Sequence, residues 1–499
     1  MKRFLPLIIL VAGLAAPAVA QDGPRNPRQL RRALDTLMAD SALTNAVIGL
    51  KIVDASTGET LYARNAEKTL MPASNTKLYS TAVALDRLGA DFRWHTDLLA
   101  DGDSVAGGVL HANLVVRGSG DPVIGGRFND GDITAVFRDW ADSLKAAGIR
   151  TVDGHIIGDD DVFDDLQLGY GWSWDDEPWW YSAEISGLSL NDAAVDFTLE
   201  PTLEGGPANI TWAPGNTGYI SVLNATRTRP EGARLREGYT RERDGNDMVV
   251  SSEVPVGTTE TESIAVHNPT LFFVHVFRET LLAEGIAVTG RIFDVDELPI
   301  RPDYASSHRI ARHTSPPLAD VVGVINKRSQ NLYAEQVLKT LAYVLPDTSS
   351  DAGPGSAAMG WAAGTPTLAS ARVDTARIQL VDGSGLSRMN QVSADMTSSL
   401  LAYMWSHPDT TARRVFYDSL PIAGVDGTLE FRMRGTPAAG NARAKTGTLT
   451  GASALSGYVT SAAGTPLIFS VMMNLYTGPS SAARRVQDQV VETLARYRR

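Results

Sequence analysis

Ser74-Asn75-Thr76-Lys77, followed by Leu78-Tyr79-Ser80-Thr81-Ala82-Val83-Ala84-Leu85, is the stretch on which the reading of this chain turns. From Ser74 to Leu88 the pattern has helical character, and Gly89 supplies a natural C-terminal stop. On such a helix a serine and a lysine three positions apart share one face. Upstream, Leu30, Leu34, Leu37 and Met38 recur at helical spacing and predict a helix over about 28–40. Ala46 to Val53 and Thr60 to Arg64 flank Asp54-Ala55-Ser56-Thr57-Gly58, a strand–turn–strand signature. A helix and hairpin of this kind feed a sheet with helices packed on it.

Downstream the texture changes. From 97 to 305 the chain consists of short alternating strands broken by Gly, Asp and Pro, such as Val109 to Arg117, Ala194 to Leu199 and Tyr219 to Leu223. This stretch reads as mostly β and inserted. It contains an acidic run, Asp159-Asp160-Asp161 with Asp164 and Asp165, and four tryptophans, Trp172, Trp174, Trp179 and Trp180. The acidic run lacks the spacing of a calcium loop and is expected to be a solvated loop. The tryptophans are expected to form the core of a small domain. Helices return from Pro317 to Val344, and two strands, Ala454 to Thr460 and Leu467 to Asn474, frame the end. The final residues place Val486, Val490, Leu494 and Tyr497 on one helical face, an apolar stripe expected to pack on the terminal sheet rather than on a membrane.

Composition narrows the function. The 499 residues are 43% hydrophobic and 20% charged, a globular balance with length for two to four domains at about 100–200 residues each. There is no Cys, which removes disulfides, thiolate nucleophiles and Cys-ligated metal. With 45 Lys+Arg against 57 Asp+Glu, the net charge of −12 has the wrong sign for a nucleic-acid partner. The eight histidines form no H-x-x-x-H pair, and no G-x-S-x-G surrounds a serine, so neither metal, cofactor nor Ser-His-Asp triad is expected.

Residues 1–20 read as a signal peptide: a basic Met1-Lys2-Arg3, an apolar run from Phe4 to Ala16, and Ala18-Val19-Ala20 as cleavage site. No later stretch has the eighteen or so consecutive apolar residues of a membrane span. Without a lipid-bearing cysteine or a wall-sorting tail, the expected address is exported and periplasmic. The oligomeric state is not legible.

Three short motifs carry chemistry: Ser74-Asn75-Thr76-Lys77, Ser329-Gln330-Asn331, and Lys445-Thr446-Gly447 leading into a terminal strand. A serine hydroxyl is a poor nucleophile until a base lies within hydrogen-bond reach. Lys77 is such a base if burial or a nearby cation lowers its pKa, and Lys445 is the candidate cation. The charge of Lys445 also suits a substrate carboxylate. Ser329 can relay a proton to a leaving nitrogen, and Asn331 can hold a peptide group. The backbone N–H groups of Ser74 and Thr448 are the expected oxyanion hole.

The ordered set resembles the penicillin-binding proteins and serine β-lactamases. Five wider stretches resemble one branch, the D-alanyl-D-alanine carboxypeptidase/endopeptidase family, or class C low-molecular-mass penicillin-binding proteins. They are Arg117-Gly118-Ser119-Gly120-Asp121-Pro122, Leu188 to Asp192, Asp382-Gly383-Ser384-Gly385-Leu386-Ser387, Leu420 to Thr428, and Ala444 to Val459. Ser74 and Ser329 lie about half the chain apart, whereas the first two motifs are much closer in small β-lactamases. The resemblance implies an α/β transpeptidase/β-lactamase-like core, an antiparallel sheet with flanking helices, carrying two nested β-rich inserted domains. The expected division is a catalytic domain from 21–96 and 306–499, an inserted domain from 97–118 and 186–305, and a second nested domain at 119–185.

The implied activity is D-Ala-D-Ala carboxypeptidase, with DD-endopeptidase action on peptidoglycan stem peptides and cross-links. Catalysis would use Ser74, Lys77 and Ser329, substrate binding Asn331, Lys445, Thr446 and Thr448, and β-lactams would inhibit. A true β-lactamase and a non-catalytic wall-binding scaffold on the same fold are the alternatives. No E-x-x-L-N motif supplies the deacylating glutamate of one lactamase class, and all three motifs are intact, which argues against a silent scaffold.

Overall fold

The structure is a computed structural model describing residues 23–102, 105–346, 353 and 355–499. The expected signal peptide, 1–20, lies outside the described residues. Five antiparallel strands form the catalytic sheet: β1 (Val47–Asp54), β2 (Thr60–Arg64), β3 (Arg443–Leu449), β4 (Ala452–Thr460) and β5 (Pro466–Asn474), in the order β2-β1-β5-β4-β3. The N-terminal hairpin is thus stitched to the C-terminal strands by the β1–β5 ladder, where Leu50 faces Val471. β4 and β5 are buried on both faces for almost their whole length, which explains why they read as continuous apolar runs instead of alternating ones.

One face of the sheet is covered by α1 (Pro27–Met38) and, across it, the C-terminal helix Ser480–Ala495. α1 begins where expected because Asn26 caps the Gln29 N–H and Pro27 tolerates the first turn. Its Leu30 and Leu34 meet Val486, Val490, Leu494 and Tyr497 of the tail, all fully or almost fully buried. The apolar stripe of the tail therefore packs on protein.

The other face carries α2 (Thr76–Leu88), α3 (Leu318–Arg328) and α4 (Asn331–Val344), with helix Ala394–Trp405 lying against β1 and β5. α2 is buried through ten consecutive residues, Thr76 to Leu85. Its polar side chains stay inside because they find partners: Ser80 Oγ donates to the Gly383 carbonyl at 2.9 Å and Thr81 Oγ1 to the Lys77 carbonyl at 2.5 Å. The helical region expected at 317–344 is two helices, broken where Ser329 takes a left-handed conformation, φ 62°.

The insertion is rich in strands, as expected, but its sheets divide at other points. His95–Asp101, Asn113–Arg117, Ile156–Asp159, Ile292–Asp294 and His308–Thr314 share one five-stranded sheet. Residues 119–185 are therefore not a unit of their own, because Ile156–Asp159 pairs in parallel with Asn113–Arg117. Three smaller sheets come from strands between Ala194 and Ala265, and a four-stranded one joins Val105–Ala106, Val109–Leu110, Thr151–Val152 and Ala287–Val288. Strand His308–Thr314, assigned above to the catalytic part, belongs to the inserted sheet through its ladder with His95–Asp101. Helices Ala135–Ala146 and Pro269–Ala283 were not anticipated; they pack through Phe137 and Phe273, ring centroids 4.7 Å apart.

Two expectations about side chains are overturned here. The acidic run is not simply a solvated loop. Asp159 is buried against Tyr304, Asp160 accepts from Ser186 and Thr270 Oγ atoms at 3.0 and 2.6 Å, and Asp164 pairs with Lys339 at 2.5 Å. These carboxylates pin the inserted part to α4 and to itself. The tryptophans are not a domain core either: none of the four is buried, and Trp174 is 72% exposed. They lie on a loop held by Trp172 Nε1, which donates to Asp382 at 3.0 Å.

Replacing Leu34 by Ala should remove a fully buried anchor between α1 and the tail helix. A loss of about 2–4 kcal/mol is expected, read as a lower urea midpoint; an unchanged midpoint would contradict the packing.

Candidate active site

Ser74 sits in a single 3-10 turn, Ala73–Asn75, immediately before α2. It is half-buried while its neighbours Ala73, Asn75, Thr76 and Lys77 are buried, so its hydroxyl is the accessible group of this turn. The turn is held tightly. A Cβ on Gly385, φ +84°, would stand 1.9 Å from the Ala73 carbonyl oxygen, and one on Gly447 would stand 2.6 Å from that of Pro72. Only glycine lets the 382–387 loop and strand β3 approach this closely. Asn75 Nδ2 donates to the Lys445 carbonyl at 3.2 Å, tying the turn to β3.

Lys77, the second residue of α2, is fully buried. Its ammonium nitrogen lies 3.3 Å from Ser74 Oγ, 2.5 Å from Asn331 Oδ1 and 2.7 Å from the Ser384 carbonyl oxygen. All three partners are neutral. Burial pulls its pKa down to about 7, against the opposing pull of Glu335 and Asp382. Burial, and not the charge of Lys445, is thus the cause of the lowering. The influence runs the other way: Lys445, also fully buried, is held well below its usual range by burial and then by Lys77.

Lys445 Nζ donates to Ser329 Oγ at 2.9 Å and to the Thr446 carbonyl at 3.0 Å. Ser329 occupies the left-handed position between α3 and α4, a conformation that costs a non-glycine residue energy and is kept where surroundings over-determine it. Asn331 opens α4; its Oδ1 accepts a hydrogen bond from Lys77 Nζ and its Nδ2 donates to the Tyr181 carbonyl at 2.6 Å. Thr446 Oγ1 donates to Thr428 Oγ1 at 2.8 Å. β3 is an edge strand, and Ala444 N donates outward to the Pro421 carbonyl. The period of two then puts Thr446 and Thr448 on that same outward edge. Ser74, Lys77, Ser329, Asn331, Lys445 and Thr446 therefore converge, with Thr448 exposed further along the edge.

Residues missing from the sequence-based site complete it. Glu335, one turn beyond Asn331 on α4, accepts from the Gly383 and Ser384 N–H groups at 2.8 and 2.7 Å. It thereby fixes the Ser384 carbonyl that holds Lys77. Burial raises the Glu335 pKa to about 7. Asp382 accepts from the Gly385 and Ser387 N–H groups at 2.8 and 2.7 Å and shapes the loop. Glu335 carried a weak signal, a carboxylate four residues after Asn331; Ser384, Asp382 and Thr428 lay in stretches quoted for their resemblance, but with no role. Outside this site, Asp160, Asp294 and Asp296 bring ligand atoms within 4.8 Å of one another. Asp160 is bonded to Ser186 and Thr270, and Asp294 to Asn268, which accounts for the cluster structurally.

A serine hydroxyl beside a buried lysine of lowered pKa, with a second buried lysine facing another serine, is an arrangement chemically able to activate a serine for acyl transfer. Residues 30–497 match the D-Ala-D-Ala carboxypeptidase 3 (S13) family. The chain is 34% identical to the D-alanyl-D-alanine carboxypeptidase of Actinomadura sp. (strain R39), over 99% of this chain and 89% of that protein. It is 26% identical to the D-alanyl-D-alanine carboxypeptidase DacB of Haemophilus influenzae, over 83% of this chain and 82% of that one. The fold is shared with penicillin-binding protein 4 (dacB) from Haemophilus influenzae: TM-score 0.76, 24% identity, 92% of this chain and 97% of that chain covered. The chain belongs to the D-Ala-D-Ala carboxypeptidase 3 (S13) family.

Two outcomes follow from this geometry. With Lys77 as base, kcat/KM for D-alanine release should rise as pH increases through about 7, because the neutral amine forms above its pKa; a flat profile across that range would contradict the role. Glu335→Ala leaves two buried N–H groups unpaired and should cost about 3 kcal/mol, with slower Ser74 acylation as the Ser384 carbonyl shifts; unchanged unfolding and acylation would remove its positioning role.

Proposed function

We propose that this protein is a serine D-Ala-D-Ala carboxypeptidase working through an acyl-enzyme on Ser74, with DD-endopeptidase activity on peptidoglycan cross-links. The observation that carries the mechanism is the environment of Lys77: an amine 3.3 Å from Ser74 Oγ, fully buried, with only neutral hydrogen-bond acceptors around it. Such a lysine can be neutral near pH 7 and accept the serine proton.

Ser74 Oγ attacks the carbonyl between the two terminal D-alanines as Lys77 takes its proton. The tetrahedral oxyanion lies between the N–H groups of Ser74 and Thr448. As the C–N bond breaks, Ser329 passes a proton to the leaving nitrogen, and Lys445, 2.9 Å from Ser329, supports that transfer. The carboxylate of the leaving residue is held by Lys445 and Thr446. This reading gives the buried Lys445, which has no carboxylate partner among the described residues, an anion to pair with. The second N–H of Asn331 Nδ2 orients the substrate peptide. Water then hydrolyses the ester and frees Ser74.

β-Lactams present a carbonyl and a carboxylate at comparable positions and should acylate Ser74. A structure of the Haemophilus influenzae penicillin-binding protein 4, related at a TM-score of 0.71, is a complex with a β-lactam. No helix among the described residues is long and apolar enough to cross a membrane. The reading of residues 1–20 supports export to the periplasm, where the stem peptides lie.

Intact-mass spectrometry of the protein mixed with benzylpenicillin tests the proposal. A lasting adduct of one drug molecule on Ser74, lost in Ser74→Ala together with D-alanine release, is the expected result. Rapid turnover of the drug would make the protein a β-lactamase, and no adduct would leave a silent scaffold. Lys445→Ala should weaken KM for carboxylate-bearing substrates by about tenfold or more, roughly the worth of a charge-assisted hydrogen bond; unchanged kinetics would remove that role.

A further inference from the structure

A carboxypeptidase that only releases free D-alanine needs room for one small residue on the leaving side. Here that side adjoins a cleft of about 1140 Å³, above the range of about 300–1,000 Å³ typical of sites for drug-sized ligands. Its lining reaches the catalytic groups at two points. Gln330 lies between Ser329 and Asn331, and Thr428 is bonded to Thr446. The far wall is the inserted segment around Arg127 and Asp192.

The charges in this cleft are mostly spent. Arg127 is paired with Asp192, which also accepts from Gln330 at 2.7 Å. Lys327 is paired with Asp426 at 2.7 Å, and Glu430 with Arg434 at 3.5 Å. Asp196 accepts from Asn191 at 2.9 Å and from Ser263 at 2.5 Å. Arg328 is the exception: it is exposed, lines the cleft, stands next to Ser329 in the chain, and has no ion pair or side-chain hydrogen bond among the described residues. A free guanidinium at the end of α3 is a ready carboxylate receptor, since its planar fork matches that anion.

The geometry points to this cleft as the subsite for the leaving peptide of a cross-link, with Arg328 binding a carboxylate of that acceptor stem. The inference rests on the endopeptidase activity proposed above. In the reaction the amide bond between the donor's D-alanine carbonyl and the acceptor's side-chain amine breaks, and the Ser74 ester forms. The amine leaves into the cleft with the proton delivered through Ser329, and water later cleaves the ester. A peptide that leaves in this direction carries further carboxylates past Thr428 and Gln330, whereas free D-alanine carries one, already held by Lys445 and Thr446. Arg328 therefore separates the two activities: it is a specificity residue for cross-links and idle for monomeric stems.

The test compares two substrates on the full mature chain: a monomeric pentapeptide stem ending in D-Ala-D-Ala, and a purified cross-linked muropeptide dimer. Arg328→Ala should lower kcat/KM for the dimer about tenfold and change that for the pentapeptide less than twofold. Arg328→Lys should recover part of the loss. Amidating the acceptor stem's carboxylates should impose a similar loss on the wild-type protein and little further loss on Arg328→Ala. Equal effects of Arg328→Ala on both substrates, or none on either, would overturn the assignment of Arg328 while leaving the endopeptidase reading intact. A wild-type protein that trims the pentapeptide but leaves the dimer whole would instead overturn the endopeptidase reading, and the subsite with it.

Discussion

A lysine with no ion-pair partner among the described residues, buried at the start of the central helix, is the constraint around which this structure is arranged. Lys77 Nζ is held by Ser74, Asn331 and Ser384, from three segments far apart in the chain. Each neighbour is neutral, so the site stabilises the amine without fixing it as a cation. A carboxylate at hydrogen-bond distance would instead hold the proton on the amine. The nearest acids, Glu335 and Asp382, instead spend their oxygens on the backbone N–H groups of the 383–387 loop. They support the lysine through the peptide chain and do not touch it.

The fold exists to bring those segments together. The β1–β5 ladder closes the sheet between the two ends of the chain, and its apolar faces accept helices on both sides. Edge strand β3 then lies against the Ser74 turn at distances that no side chain at Gly447 would permit. The left-handed Ser329 ends α3 and lets α4 start at Asn331, so the serine and the asparagine of one motif reach two different lysines. Polar contacts that join the inserted part to this machinery include Tyr181 with Asn331, Trp172 with Asp382, Asp164 with Lys339 and Asp192 with Gln330. These contacts place the inserted part against the rim of the site, and the large cleft lies between it and helices α3 and α4.

Much of this was legible in the sequence, for a physical reason. Periodicity reports burial, so α1, the first hairpin, α2 and the C-terminal strands stood where their apolar patterns put them. Ser74 and Lys77 share a face by helix geometry, and that needed no tertiary knowledge. The three motifs and the quoted stretches around them led to the family that the comparisons show.

Other features were decided only in three dimensions. The Trp172–Tyr181 segment has the composition of a core yet spans the surface of a seam, because its polar anchors, Asp382 and Asn331, lie far away in sequence. The division of the insertion depended on parallel pairing between Asn113–Arg117 and Ile156–Asp159, and local pattern carries no information about such long-range registers. The sequence determined which groups could do acyl transfer. Which of them are dry, and which lysine lies 3.3 Å from Ser74 while the other faces Ser329, was settled by packing, since burial and distance are properties of the assembled core.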